Sequence, residues 1–220
     1  MRNSQTNAII AGNEEYWERL WSVEYNRPLQ GSMGEAPERG NLREALLANP
    51  GTTISSGLQP YYQAQHLVPV EAIERLSDLF GTGLEVNGKF MPGIGISTNG
   101  VQNGVFLPSD EILSRLSGYS RHSTDVFGAH PGYNKAVTDY LLQIKSNVVT
   151  QLTAGQDVDS VMDYALGKVK ELQDTLRVLQ TRPYGGTKLP SLIGKPMPLH
   201  GDEAAIASLW KAALSELISP

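Results

Sequence analysis

The chain is predicted to be mainly α-helical with a small β-hairpin, and three observations carry that expectation. Apolar residues recur three and four apart along several stretches, the period of one helix face. Glycine and Asn-Gly pairs crowd "TGLEVNGKFMPGIGISTNGVQNGVFLPS", residues 82–109, where turns interrupt any helix. Within it a short apolar step, Val105, Phe106 and Leu107, reads as a strand that Pro108 ends.

The elements follow in order. Asn13 can cap a first helix, with Glu14 and Glu15 at the positive end of the dipole and Trp17, Leu20 and Trp21 on one face until Pro28. Residues 28–40 are turn-rich. Asn41 caps a short helix with Leu42, Ala45 and Leu46 on one face, stopped by Asn49, Pro50 and Gly51. Val70, Ile73, Leu76 and Leu79 recur at three-residue spacing and predict a helix over 68–79. Past the strand, Ser109 caps a short helix that buries Ile112, Leu113 and Leu116. A long helix starts at Pro131, where proline suits the first turn, with Val137, Leu141, Ile144 and Val148 as its core face. Met162, Ala165, Val169, Leu172, Leu176 and Leu179 form an a/d seam of about three heptads. Packing on the chain's own core is one reading of that seam, and a homodimer is the other. A Pro/Gly-rich connector leads to a final amphipathic helix with Ile206, Leu209, Trp210, Ala213 and Leu217 on one side.

Composition narrows the chemistry. Cysteine is absent, which excludes disulfides, thiolate nucleophiles and cysteine zinc sites. Any metal must therefore use histidine, carboxylate or amide ligands. Eighteen Lys+Arg against 23 Asp+Glu give a net charge of −5, so the whole molecule offers no basic field to a polyanion, although a local groove can still be basic. The opening "MRNSQTNAII" lacks the apolar core of a signal peptide, and no run approaches the roughly eighteen apolar residues of a membrane span. A soluble protein with no membrane partner is expected.

Three of the four histidines, His66, His122 and His130, fall in the glycine-punctuated middle. With Asn103 they have the makings of an acid–base histidine, an amide that holds or co-ligates it, and a metal ligand at a helix start. His200, just ahead of the last helix, reads as a helix-flanking residue.

The order "AQHLVPVE", "NGVFLP" and "HPGYNKAV" resembles the AHH group of the HNH/endonuclease VII superfamily over residues 58–146. These are His-Me finger nucleases found mostly as bacterial polymorphic-toxin domains and secreted effectors. The resemblance implies a His-Me finger (ββα-metal) core, with helical additions at both ends, gripping one divalent ion against a scissile phosphate. Mg2+ is the first expectation, with Mn2+, Ni2+ or Zn2+ as alternatives. His66 matches the general base, whose unperturbed pKa near 6.5 suits water activation. Asn103 matches the amide that orients the base or contributes to the metal, and His130 the metal ligand that begins the last helix. The chain departs from the pattern at Gln65, where the family's first histidine of the pair binds metal, and at Val126, where a further histidine often stands. A glutamine amide oxygen suits a hard ion better than zinc or nickel. His122 is a candidate ligand, and Arg121, Tyr133, Asn134 and Lys135 are candidates to touch phosphate, with packing beneath the loop the alternative for Tyr133.

The expected division is a lead-in over 1–57, the nuclease-like core over 58–152 and a helical accessory region over 153–220. The expected function is metal-dependent, largely sequence-nonspecific cleavage of DNA, RNA remaining open. It belongs to an antibacterial toxin made in the bacterial cytoplasm, delivered into a target cell and paired with an immunity protein. The alternative is a weakened or inactive member that binds nucleic acid or protein. Residues 60–150 carry six Lys+Arg against eight Asp+Glu, a balance of −2. Cations must therefore cluster at a groove for phosphate contacts to drive binding.

Overall fold

The computed structural model describes residues 41–48, 54, 58–122 and 130–218. The helix predicted from Asn13, the connector 28–40 and position Val126 lie outside the described residues.

Helix α1 (Asn41–Leu47) turns Leu42 and Leu46 inward, as their spacing predicts. With Phe106 they form a small satellite core. Strand β1 (Tyr62–His66) comes next, then α2 (Val70–Arg75), which is shorter than the predicted 68–79. Pro69 sits extended just ahead of it, where proline is tolerated but cannot sit inside a helix. Beyond it the chain tightens into a π turn at Asp78–Thr82 that still buries Leu79 and Phe80.

Strands β2 (Leu84–Val86) and β3 (Lys89–Met91) form a hairpin within the glycine-rich stretch, where the sequence reading placed turns. Its turn is Asn87-Gly88, both at positive φ (50° and 74°), the conformation for which Asn-Gly is favoured. Strand β4 (Gly104–Pro108) contains the predicted apolar step and pairs antiparallel with β1, from Tyr62 opposite Pro108 to His66 opposite Gly104. Helix α3 (Glu111–Ser117) is capped by Asp110, whose carboxylate accepts from the Ile112 and Leu113 amides, rather than by Ser109. It also faces the other way from the expectation: Ile112 and Leu116 are 68% and 80% exposed, and Ser114 is the buried residue. Its serine hydroxyl donates to the Tyr119 carbonyl, fixing which face turns in.

Helix α4 (Pro131–Thr153) buries Val137, Leu141, Ile144 and Val148 as predicted. Helix α5 (Val158–Thr181) buries all six residues of the a/d seam in the chain's own core. The stripe on which self-association was considered is thus spent within the molecule. Helix α6 (Glu203–Leu217) is capped by Asp202 and packs extensively on α4 through Ile206, Trp210 and Ala213, while Leu217 stays exposed. One apolar cluster runs from Leu67 to Ile218, so α5 and α6 share their core with the hairpin and α4. The protein is mainly helical with a small antiparallel hairpin sheet, the arrangement of a His-Me finger fold. Among the described residues no helix is long and apolar enough to cross a membrane.

Candidate functional site

The β1–β4 pairing sets the site. His66 is the last residue of β1, and the chain just beyond it is clamped by Asn103. The Asn103 amide oxygen accepts from the Val68 amide (2.8 Å), and its nitrogen donates to the carbonyls of Val68 (3.0 Å) and Thr98 (3.1 Å). Its backbone carbonyl accepts from the Leu67 amide (2.8 Å). Asn103 is fully buried, so each contact is made away from water, where an unmade one is costly. Asn103 thereby holds the backbone that follows His66.

Helix α5 braces the same clamp. Gln173 donates to the Asn103 amide oxygen (3.2 Å). Arg177 donates to the carbonyls of Gly104 (2.7 Å), Gln102 (2.8 Å) and Val101 (3.3 Å), fixing the turn that leads into β4. Gly104 leaves room for α1, since a Cβ there would lie 2.5 Å from Leu42 Cδ1.

His66 is half-buried, and its Nε2 lies 3.1 Å from the Asn99 amide oxygen. An amide oxygen can only accept, so this contact selects the tautomer with the proton on Nε2 and places the ring's lone pair on Nδ1. Asn99 was missed by sequence reasoning; its Asn-Gly pair reads simply as a turn. Gln65 is buried and donates its Nε2 to the His66 carbonyl (3.0 Å).

A second group gathers at the start of α4. His130 immediately precedes the helix and is 2% exposed, yet neither ring nitrogen has a hydrogen-bond partner. Burial, reinforced by neighbouring His122 and His200, pushes its pKa down to about 3, so the ring is neutral in ordinary buffers. The His122 ring stands edge-on at a centroid distance of 5.0 Å, and His200 at 4.5 Å. His200 lies just ahead of α6, as expected, with its ring against His130.

Local structure explains the gathering. His122 is held by its amide on the Pro108 carbonyl (2.8 Å), and Ser120 beside it by the Gln180 carbonyl (2.7 Å). Gly132 lets the first turn of α6 lie directly on that of α4: a Cβ there would meet the Glu203 carbonyl oxygen at 2.6 Å and Ile206 Cβ at 2.7 Å. Trp210 of α6 stacks edge-on against Tyr133 (4.8 Å) and donates to the Pro198 carbonyl (2.8 Å), which steadies the segment carrying His200.

The expected phosphate contacts divide. Tyr133 is fully buried; its hydroxyl donates to the Leu67 carbonyl and accepts from Gln180 Nε2, so it packs beneath the loop rather than facing a substrate. Burial raises its pKa far above the ordinary tyrosine value. By joining α4 to the residue after His66, it ties the histidine group to the hairpin end. Asn134 donates to Glu71 (3.1 Å). Lys135 lies exposed, 3.4 Å from Asp139, which also holds Lys211 at 2.7 Å. Arg121 is exposed and donates to the Ser109 carbonyl (3.3 Å).

For a divalent ion, His130 supplies what a ligand needs: a buried neutral imidazole with both nitrogens unpartnered. His122 and His200 are the donors beside it. Among the described residues, no three histidine, aspartate or glutamate side chains already converge as a metal site. Gln65, spent in part on its own backbone, adds nothing visible to the donor set.

Searches of curated proteins and of solved structures matched nothing. A family model does match, over residues 52–176: a nuclease family of the HNH/ENDO VII superfamily with conserved AHH. The match begins ahead of β1 and runs well into α5, so it takes in the clamped hairpin, the helix that starts after His130, and Gln173 of the brace. Within the matched range the chain reads Ala64-Gln65-His66. With that match spanning more than half of its 220 residues, the chain belongs to this AHH nuclease family.

Proposed function

We propose that this protein is a divalent-metal-dependent endonuclease that cleaves DNA largely without regard to sequence, with His66 taking a proton from the attacking water. The observation that carries the proposal is the His66–Asn99 hydrogen bond at the end of β1. It leaves Nδ1 as the basic nitrogen, on a group whose ordinary pKa near 6.5 matches neutral conditions. Asn103 acts as a positioning residue, holding the backbone on which His66 sits. Arg121 and Lys135 are exposed cations and Asn134 a half-buried amide, residue types that can meet phosphates, and such contacts position a strand without reading it. A bound divalent ion, held by His130 with His122 as a further donor, supplies charge stabilisation at the phosphate and the departing oxygen. The wider role is that of an antibacterial toxin, made in the bacterial cytoplasm, delivered into a competitor and accompanied by an immunity protein. That role is supported by the likeness of the three sequence blocks to secreted nuclease effectors.

Plasmid DNA incubated with the full chain tests the activity. Nicking is expected with at least one of Mg2+, Mn2+, Ni2+ or Zn2+, and none with EDTA or after His66→Ala. A parallel RNA substrate separates the two nucleic acids. Gln65 favours a second reading, a weakened or inactive member that binds nucleic acid or protein, because an amide stands where the motif has a histidine. A silent wild type and a Gln65→His variant that cuts would decide for it.

A further inference from the structure

We propose that Lys170 of α5 is a phosphate-binding residue of the nucleic-acid site, placing its ammonium against the phosphodiester beside the Asn99–His66 pair. The inference deepens the proposed function and rests on it for the contact's part in cleavage; the contact itself is read by binding, without cleavage.

Register carries the placement. At about 3.6 residues per turn, Lys170 stands about 20° around the helix from Arg177 and about 60° from Gln173, so the three share one stripe of α5. The contacts along that stripe have a direction. Arg177, furthest toward the C-terminus, donates to the carbonyls of Val101, Gln102 and Gly104. About one turn back, Gln173 donates to the amide oxygen of Asn103, whose own amide nitrogen donates to the Thr98 carbonyl (3.1 Å). Thr98 adjoins Asn99, whose amide oxygen meets His66 Nε2 at 3.1 Å. Lys170 lies about 4.5 Å further along the axis in the same sense, and helical side chains lean toward the N-terminus. Its long arm is therefore set toward the Thr98–Asn99 loop rather than back over β4.

Charge and burial agree with that placement. Lys170 is half-buried, as are Asn99 and His66, and a lysine stem can cover apolar surface while its head stays in water. Its sequence neighbour Glu171 is engaged by Lys168 (3.1 Å), and Asp174, one turn on, is exposed and acts on Arg177. Of the two cations on the stripe, Arg177 is committed to three backbone carbonyls, and Lys170 is the one set toward the proposed base. A lysine suits a single phosphate oxygen, because its ammonium is a compact point charge. In a chain of net charge −5, a cation next to that base concentrates attraction where the strand must lie.

Fluorescence anisotropy of a labelled DNA duplex with the full chain in EDTA, across about 50–200 mM salt, tests the contact without cleavage. Lys170→Met is expected to weaken binding about tenfold and to flatten the slope of log affinity against log salt by about 0.9, the share of one phosphate. Lys170→Arg keeps the charge and should recover the slope. Lys195→Gln, which removes a lysine bonded to the Ser191 carbonyl in the connector ahead of α6, should leave affinity and slope unchanged. A wild-type slope in Lys170→Met, no recovery in Lys170→Arg, an equal change in Lys195→Gln, or a wild type that does not bind the duplex overturns the proposal. Should Lys170→Met fail to fold by circular dichroism, Lys170→Gln takes its place, with the same expected loss and the same overturning result. Plasmid nicking on the same samples keeps the two ideas apart. A wild type that nicks, beside a Lys170→Met chain that binds as the wild type does, sinks the contact and leaves the nuclease. A slope that flattens as expected in a chain that never nicks sinks the nuclease and leaves the contact.

Discussion

For His66 to act as the proposed base its proton must sit on the correct nitrogen, and the Asn99 amide oxygen, 3.1 Å from Nε2, favours the Nε2 tautomer. Asn99→Ala is expected to keep the fold and lower the cleavage rate about 10–100-fold, a part of what a positioned base contributes. Unchanged cleavage would show that another group orients the ring. Asn103 is the opposite kind of residue: its side chain joins Val68, Thr98 and Gln173 in the dry interior. Asn103→Ala should cost about 2–4 kcal/mol by chemical denaturation, because partners stay buried and unpaired. "NGVFLP" singles out Asn103 in the sequence, and its hydrogen bonds to the Val68 and Thr98 backbone become visible only in the fold. Asn99 was not legible, because an Asn-Gly pair in a loop looks like any other turn.

At the scale of elements, what the sequence showed and what it hid divide by physical cause. The core face of α4 is readable because its period repeats over many turns, and α5 likewise. Strand β1 is hard to read because "YQAQH" has little apolar alternation and finds its partner, β4, only across a long connection. The exposed face of α3 was misread because a two-turn helix has too few residues to fix its rotation, which Asp110 and Ser114 set instead. The meeting of His200 with His130 depends on Gly132, where α4 and α6 touch too closely for any Cβ. Gly132→Ala should destabilise the fold by about 1–3 kcal/mol through overpacking. An unaltered thermal midpoint would show that the helices part without cost. Glu216 provides a pH test at the far end of α6. Its carboxylate accepts from the Thr187 hydroxyl, the Tyr184 hydroxyl and the amides of Thr187 and Lys188, which together hold its pKa down to about 2. A carboxyl depressed in the folded state contributes stability above its ordinary pKa and loses it as pH falls toward 2. The stability gap between wild type and Glu216→Gln should accordingly be widest above about pH 4.5 and shrink toward pH 2, as followed by urea unfolding across that range.

For the molecule as a whole, α5 and α6 share one apolar cluster with the strands and α4. Arg177 of α5 holds the turn into β4 through three carbonyls, and α6 carries the segment that brings His200 to α4. Arg177→Ala is expected to destabilise the chain by about 2–3 kcal/mol and to slow cleavage, since the carbonyls it leaves are partly buried beside the clamp. Truncation after α4 should leave an insoluble or unfolded product, because the apolar cluster continues to Ile218. Net charge bears on the same scale: at −5 overall the chain offers no basic field, so if exposed cations such as Arg121 and Lys135 carry the proposed phosphate contacts, cleavage should weaken as salt is raised.

The central claim, that His66 at the clamped end of β1 activates water for metal-dependent cleavage, is tested most directly by plasmid nicking with matched wild-type and His66→Ala proteins across a series of divalent ions. Metal-dependent nicking by the wild type, lost at least about a hundredfold in His66→Ala while its circular dichroism spectrum is unchanged, is the predicted result. Equal nicking by both proteins, or an intact plasmid with the wild type in every ion, would contradict it.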